Sequence, residues 1–293
     1  MEKKIQILPA AAVVVAVIAL ILRVFQILVV VDYKEMGFFD ADAGFLAAGG
    51  LYLLLFIGTV VFIISAILDK KGGSDAFTRK ALSLTPRQTA ILGMSFLVGA
   101  CLRLYQLIFG FNGFGLSFVG EALMFVLFTA IGFIILGSRK LKPVVGYLHI
   151  VICVSCTLNA ASLFMQDTII IRVSDELLLL LSYVGSVLFF LALGRFIAGT
   201  ESRLTRYKLL VIGGITAALS LCASLAGYIA LAIDPEYVGP HMAMHPLSET
   251  GTAVIALALI MIIYSKNSLP DEEPEEPEEV EINESSQRNE LVP

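Results

Sequence analysis

The sequence predicts an all-α fold: a polytopic membrane helix bundle of eight transmembrane helices, arranged as four like-oriented hairpin repeats. Three observations predict it. Of 293 residues, 58% are hydrophobic and only 15% charged, whereas an average globular chain carries about a quarter charged residues. Apolar runs long enough to cross a bilayer core, about 20 residues each, recur eight times. A short polar motif returns at the ends of alternate runs. The same composition excludes a disordered chain, a collagen-like repeat and a disulfide-stapled secreted fold, the last because four cysteines are too few.

The spans fall at 7–31, 45–68, 88–109, 116–137, 144–165, 175–198, 209–233 and 248–265. They are expected to be helices, because hydrocarbon offers backbone N–H and C=O groups no water partner and the runs are too long for barrel strands. Span 1 follows Met1-Glu2-Lys3-Lys4 as a signal peptide would, but its 25 residues exceed an h-region and no small-residue cleavage site follows. It therefore reads as an uncleaved span. The longest connection, 69–87, has 19 residues, which leaves no room for a soluble catalytic domain between spans. Span 7 carries Gly213, Gly214, Ala217, Ala218, Ser220, Ser224 and Gly227; small residues at that density let backbones approach closely and place span 7 at the centre of the bundle.

Lysine and arginine counts set the orientation. Fifteen flank the spans on one side, and only Lys34 and Arg172 on the other, which puts both termini in the cytoplasm of a cell whose plasma membrane holds the chain. The expected layout is a bundle over 1–265 and an acidic, disordered cytoplasmic tail over 266–293. From Asn267 onward the tail holds ten acids against Arg288, a net of −9; the whole chain is −5, so the remainder is +4. A proline-interrupted block of like charge is solvated, or docks a basic protein partner.

An internal repeat accompanies the spans. Span 1 ends in Leu22-Arg23-Val24-Phe25-Gln26-Ile27 and span 3 in Leu102-Arg103-Leu104-Tyr105-Gln106-Leu107, with Asp32 and Asn112 nine residues after each Arg. Asp234 to Gly239 repeats the spacing of Asp32 to Gly37. The expected unit is a helix, outer loop, helix hairpin repeated in one orientation. The Leu-Arg-x-[Phe/Tyr]-Gln-[Ile/Leu] pattern leading to Asp32 and Gly37-Phe38-Phe39 resembles uncharacterised multi-pass membrane proteins of Gram-positive bacteria. The resemblance covers two of the eight spans and implies a bacterial inner membrane but no activity.

Charged groups inside a span usually face the bundle interior, pair, and mark something. Arg23 and Arg103 lie deep in spans 1 and 3, each followed three residues later by a glutamine, Gln26 or Gln106, on the same helical face. Glu121, five residues into span 4, matches the depth of Arg103, so an Arg103–Glu121 pair is expected. With Asn159 in span 5, these six residues read as an outward-facing pocket for a small polar, anionic or lipid ligand. They read also as ties between hairpins, with Arg snorkelling to the headgroups and loop acids such as Asp42 as partners. Arg195, near the other end of span 6, reads as a snorkelling anchor.

Enzymatic chemistry finds little purchase. Cys153-Val-Ser-Cys156 has redox spacing but lies mid-span among apolar residues, without a loop cysteine to relay electrons. His149 is the single in-span histidine, too few for bis-histidine haem, and no interior lysine offers a Schiff base. Phosphate-binding and hydrolase motifs are missing, nucleic-acid binding is not expected, and no cofactor is implied. His241, Met242, Met244 and His245, with Glu249 and Asp234 nearby, form a loop suited to copper, although Pro246 disfavours helical geometry at His245. The expected function is transport or outward-side binding of a small ligand, or, alternatively, a non-transporting sensor, assembly factor or accessory subunit.

Overall fold

A computed structural model describes residues 7–32, 38–39, 44–71, 84–110, 115–138, 143–166, 173–198, 205–238 and 246–266. Almost all of them are helical. The helices are α1 (Ile7–Phe25), α2 (Gly44–Lys71), α3 (Pro86–Phe109), α4 (Leu116–Gly137), α5 (Pro143–Gln166), α6 (Val173–Ala198), α7 (Thr205–Ser220), α8 (Ala226–Ile233), the single turn α9 (Pro235–Val238) and α10 (Ser248–Lys266). Local sequence sets several boundaries. Thr85-Pro86-Arg87-Gln88 starts α3 with a capping box: the Thr85 hydroxyl accepts from the Gln88 N–H at 3.3 Å, and the Gln88 side chain accepts from the Thr85 N–H at 3.0 Å. Pro86 occupies the first turn, where its missing N–H costs nothing.

Among the described residues, six stretches are long and apolar enough to cross a membrane: Ala10–Val30, Pro86–Phe109, Leu116–Gly137, Pro143–Met165, Asp175–Ala198 and Lys208–Ile233. Two shorter apolar helices, Gly49–Ile64 and Ser248–Ile263, stand where the second and eighth spans are expected. The molecule turns large apolar side chains outward along its length, among them Phe56, Phe109, Phe133 and Phe164, between 62% and 77% exposed. A water-soluble protein seldom exposes so continuous an apolar surface; a multi-pass membrane protein needs one.

Among the described residues, two helices depart from regular α geometry in ways that the sequence pattern did not announce. After Phe25 the first helix widens into a π turn over Gln26–Val30, closed by the Val31 N–H on the Gln26 carbonyl. The seventh widens over Leu221–Leu225, closed by the Ala226 N–H on the Leu221 carbonyl. In the second case the Ser224 hydroxyl donates back to the Ser220 carbonyl at 2.6 Å, so a side chain competes for the ladder at the bulge. A two-residue antiparallel ladder, Val31 with Phe39 and Asp32 with Phe38, follows the first bulge.

Helices adjacent in sequence pack along one another, α3 with α4 and α5 with α6 most extensively, while α10 lies against α3 and α7. The Lys208–Ile233 rod is the most enclosed of the six long stretches, with 72% of its apolar window buried, as its small residues imply. Gly99 and Gly251 set the distance between α3 and α10: a Cβ at Gly251 would stand 2.6 Å from the Gly99 Cα. Gly146 and Gly194 do the same for α5 and α6, where a Cβ at Gly146 would stand 2.7 Å from the Gly194 carbonyl oxygen. The core between them is aromatic, with Phe96, Phe128, Phe189 and Phe190 buried around His149.

Candidate functional site

Because α10 sits so close to α3, the residues at the α10 N-terminus reach Arg103. The Arg103 guanidinium is the hub of the resulting network. Its Nη1 donates to both oxygens of Glu121 on α4, at 2.9 and 2.7 Å. Nη2 donates to Glu249 Oε1 on α10 at 2.8 Å and to the Thr252 hydroxyl at 3.3 Å. Phe128 offers its ring 5.3 Å from the guanidinium carbon, a cation–π contact from below. Arg103 and Glu249 have no exposed surface.

Neutral side chains complete the cluster. Asn159 on α5 donates through Nδ2 to Glu121 Oε1 at 2.8 Å, and the Ser248 hydroxyl approaches the same oxygen at 3.4 Å. Glu249 Oε2 accepts from Ser182 and Ser186 on α6, at 3.1 and 3.2 Å. Ser182 shares a 2.9 Å hydroxyl contact with Ser220 on α7, and Ser224 in the π turn shares one of 2.7 Å with Thr250. Six helical segments thus meet through polar groups within an apolar bundle. Two buried atoms of the cluster lack hydrogen-bond partners among the described residues: Arg103 Nε and Asn159 Oδ1.

A second, smaller network lies at the same end of the bundle. Arg23 donates to Gln26 Oε1 at 3.1 Å and forms an ion pair with Asp175 in the first turn of α6. Tyr52 on α2 lies within electrostatic reach of both charges. Arg23 and Gln26 are as buried as the Arg103 cluster.

Of the six residues singled out from sequence, the structure joins Arg103, Glu121 and Asn159 in one network and Arg23 with Gln26 in the other. Gln106 is half-buried beside Gly110 and takes part in neither among the described contacts. Sequence reasoning missed Glu249, the second acid of the Arg103 network, and Asp175, the acid of the other. Both stand in the first turn of a helix, where an acidic residue complements the helix dipole. Depth was the available signal: each begins a helix at the end of the bundle that holds the two arginines. Asp42, His241, Met242, Met244, His245 and residues 267–293 of the tail lie outside the described residues, while Lys266, placed at the start of the tail, ends α10. Among the described residues no group of His, Cys, Asp and Glu is arranged to hold a metal.

Of the remaining reactive groups, His149, Cys156 and Cys222 are buried, Cys153 is half-buried and Cys101 is exposed. His149 Nδ1 lies 2.6 Å from the Val145 carbonyl, and the ring stands between Phe96 and Phe190. The Cys153 thiol donates to the Val187 carbonyl at 3.4 Å, whereas Cys156 faces the Met124 sulfur at 3.8 Å; all four cysteines are free. A cleft of about 90 Å³ between α5 and α6, lined by Tyr147, Ile150, Leu191 and Arg195 among others, opens at the opposite end from the ionic networks. Comparison with protein-family models, with curated proteins and with solved structures finds no match for this chain.

Proposed function

We propose that this protein crosses a bacterial plasma membrane eight times, with both termini cytoplasmic, and that it binds or transports a small polar solute through its outer half. One observation carries the reading. A buried arginine, two carboxylates, an asparagine and a ring of hydroxyls converge between helices of a bundle whose outside is apolar. Intramembrane ionisable groups are expensive to keep and mark solute or proton pathways more often than they serve packing alone. Repeated hairpins, if the motif at Arg23 and Arg103 marks a duplication, would place this site where repeats meet. The surplus of carboxylate over guanidinium at Arg103 favours a neutral or cationic solute over an anion at that point.

Native mass spectrometry of gently extracted protein tests the reading. Wild type should retain a small molecule that Arg103→Lys and Asn159→Leu lose while remaining folded. Retention unchanged in both folded variants would remove the site from the proposal.

A second reading has its own support. Both terminal nitrogens of Arg103 and all four oxygens of Glu121 and Glu249 are occupied within the chain, so the network also serves as a tie between helices in a non-transporting membrane component. That reading expects a bound protein rather than a bound solute, with the acidic tail as its natural contact. Co-purification of a partner lost on deletion of 267–293 would favour it.

A further inference from the structure

We infer that the Arg103 cluster is a proton-binding site, in which the Glu121 carboxyl carries one exchangeable proton and Asn159 is its hydrogen-bond partner. The inference deepens the transport reading, and rests on it only for the use to which the proton is put.

Charge count comes first. Arg103 keeps its charge at any physiological pH and faces two carboxyls, Glu121 and Glu249. The other ionisable groups facing the pair supply no positive charge: α5 brings the Cys156 thiol and α6 the Tyr183 phenol. From α7 and its bulge come the hydroxyls of Ser220 and Ser224, and Arg23 on α1 is engaged by Asp175. With both carboxyls ionised the cluster would hold one uncompensated negative charge in a buried site. A buried carboxyl avoids that cost by taking up a proton.

Geometry selects the carrier. Glu249 sits in the first turn of α10, where the helix N-terminus favours negative charge, and its oxygens receive Arg103, Ser182 and Ser186. Each of these contacts is one that a carboxylate accepts. Glu121 lies more than a turn inside α4, and its neighbour Asn159 has a buried carbonyl oxygen with no donor. Turning the Asn159 amide about its last side-chain torsion exchanges Nδ2 for Oδ1 opposite Glu121. An O–H formed on a Glu121 oxygen by a proton from water then donates to Oδ1, and the proton leaves by breaking that O–H bond. Gly120 leaves the room: a Cβ there would overlap Asn159 Oδ1.

The experiment is infrared difference spectroscopy of the full chain in lipid nanodiscs, titrated with pH in H₂O and D₂O. Wild type should show the carbonyl stretch of a protonated carboxyl at neutral pH, shifted by D₂O and lost as pH rises. Glu121→Gln and Glu249→Gln should each abolish the neutral-pH band, because removing either carboxylate leaves the other balanced by Arg103. Asn159→Leu should keep the band but raise its frequency by removing the acceptor. A wild type without the band, or a band that survives Glu121→Gln, overturns the inference. An unmoved band in Asn159→Leu overturns it as well, since Asn159 bonds Glu121 and not Glu249 among the described contacts, and that result stands alone if Glu121→Gln fails to fold. Solute uptake that ignores a pH gradient while the band behaves as expected would defeat coupled transport and leave the proton site standing.

Discussion

Arg103 and Glu249, 146 positions apart in the chain, meet at 2.8 Å with neither side chain exposed. Such a pair is a poor source of net stability, since desolvating both charges consumes most of their attraction, but breaking it is costly. Arg103→Met leaves Glu121 and Glu249 facing each other without a cation. The expected loss is about 3–5 kcal/mol. Replacing all three, as Arg103→Met with Glu121→Leu and Glu249→Leu, should recover most of it, because apolar groups of similar volume carry no desolvation penalty. Reversible unfolding in detergent, wild type beside both variants, measures this. A triple variant no more stable than the single would mean that the cluster stabilises by more than charge balance.

The approach of α10 to α3 that creates this pair depends on Gly99 and Gly251. Gly251→Ala forces a methyl against the Gly99 Cα and should cost about 1–3 kcal/mol by overpacking. Gly50 in α2 is the control, because nothing lies within 4 Å of its ideal Cβ. Gly50→Ala should be neutral or stabilise by about 0.5–1 kcal/mol, the helix cost of glycine. Thermal unfolding of the two variants side by side distinguishes a close backbone approach from a general intolerance of glycine substitution. Equal effects would refute the role given to Gly251.

How legible this was in sequence depends on the range of the physics involved. Each apolar run is a local signal, and the helices stand where the runs stand, with Thr85, Pro86 and Gln88 marking the start of α3 by their own chemistry. The pairing of Arg103 with Glu121 was legible because both lie on consecutive helices at one depth. Glu249 and Asp175 were not, because the helix that docks beside Arg103 or Arg23 is chosen by tertiary contacts such as Gly99 on Gly251, which no local pattern encodes. The π turns at Gln26–Val30 and Leu221–Leu225 escaped for a related reason: an apolar run reads alike whether its backbone bonds span four residues or five.

Arg23 and Asp175 form the buried ion pair of the second network, with side chains 1% and 6% exposed. A double-mutant cycle with Arg23→Gln and Asp175→Asn should show strong non-additivity. Each single change removes the ion pair and leaves one of its charges buried, whereas the double change leaves two neutral amides. The expected coupling is about 0.5–3 kcal/mol, favouring the pair. Additive losses would mean that Arg23 and Asp175 act independently and that Gln26 or Tyr52 is the effective partner of Arg23.

The orientation assigned to the networks follows from charge flanking alone, and one rod offers a direct check. Lys208–Ile233 is a continuous helical stretch of 26 residues, interrupted only by the π turn. At the helical rise it is about 39 Å long, more than the roughly 30 Å hydrocarbon core of a bilayer. Lys208 and Asp234 are exposed at its two ends. In a chain whose four native cysteines are replaced by alanine, a membrane-impermeant maleimide applied to intact cells should label Asp234→Cys. Lys208→Cys should react only after permeabilisation, since the positive-inside flank lies at that end. Labelling of both from outside would show that the rod does not cross. The reverse pattern would turn the Arg103 and Arg23 networks toward the cytoplasm, and the proposed solute would then have to be sought on that side.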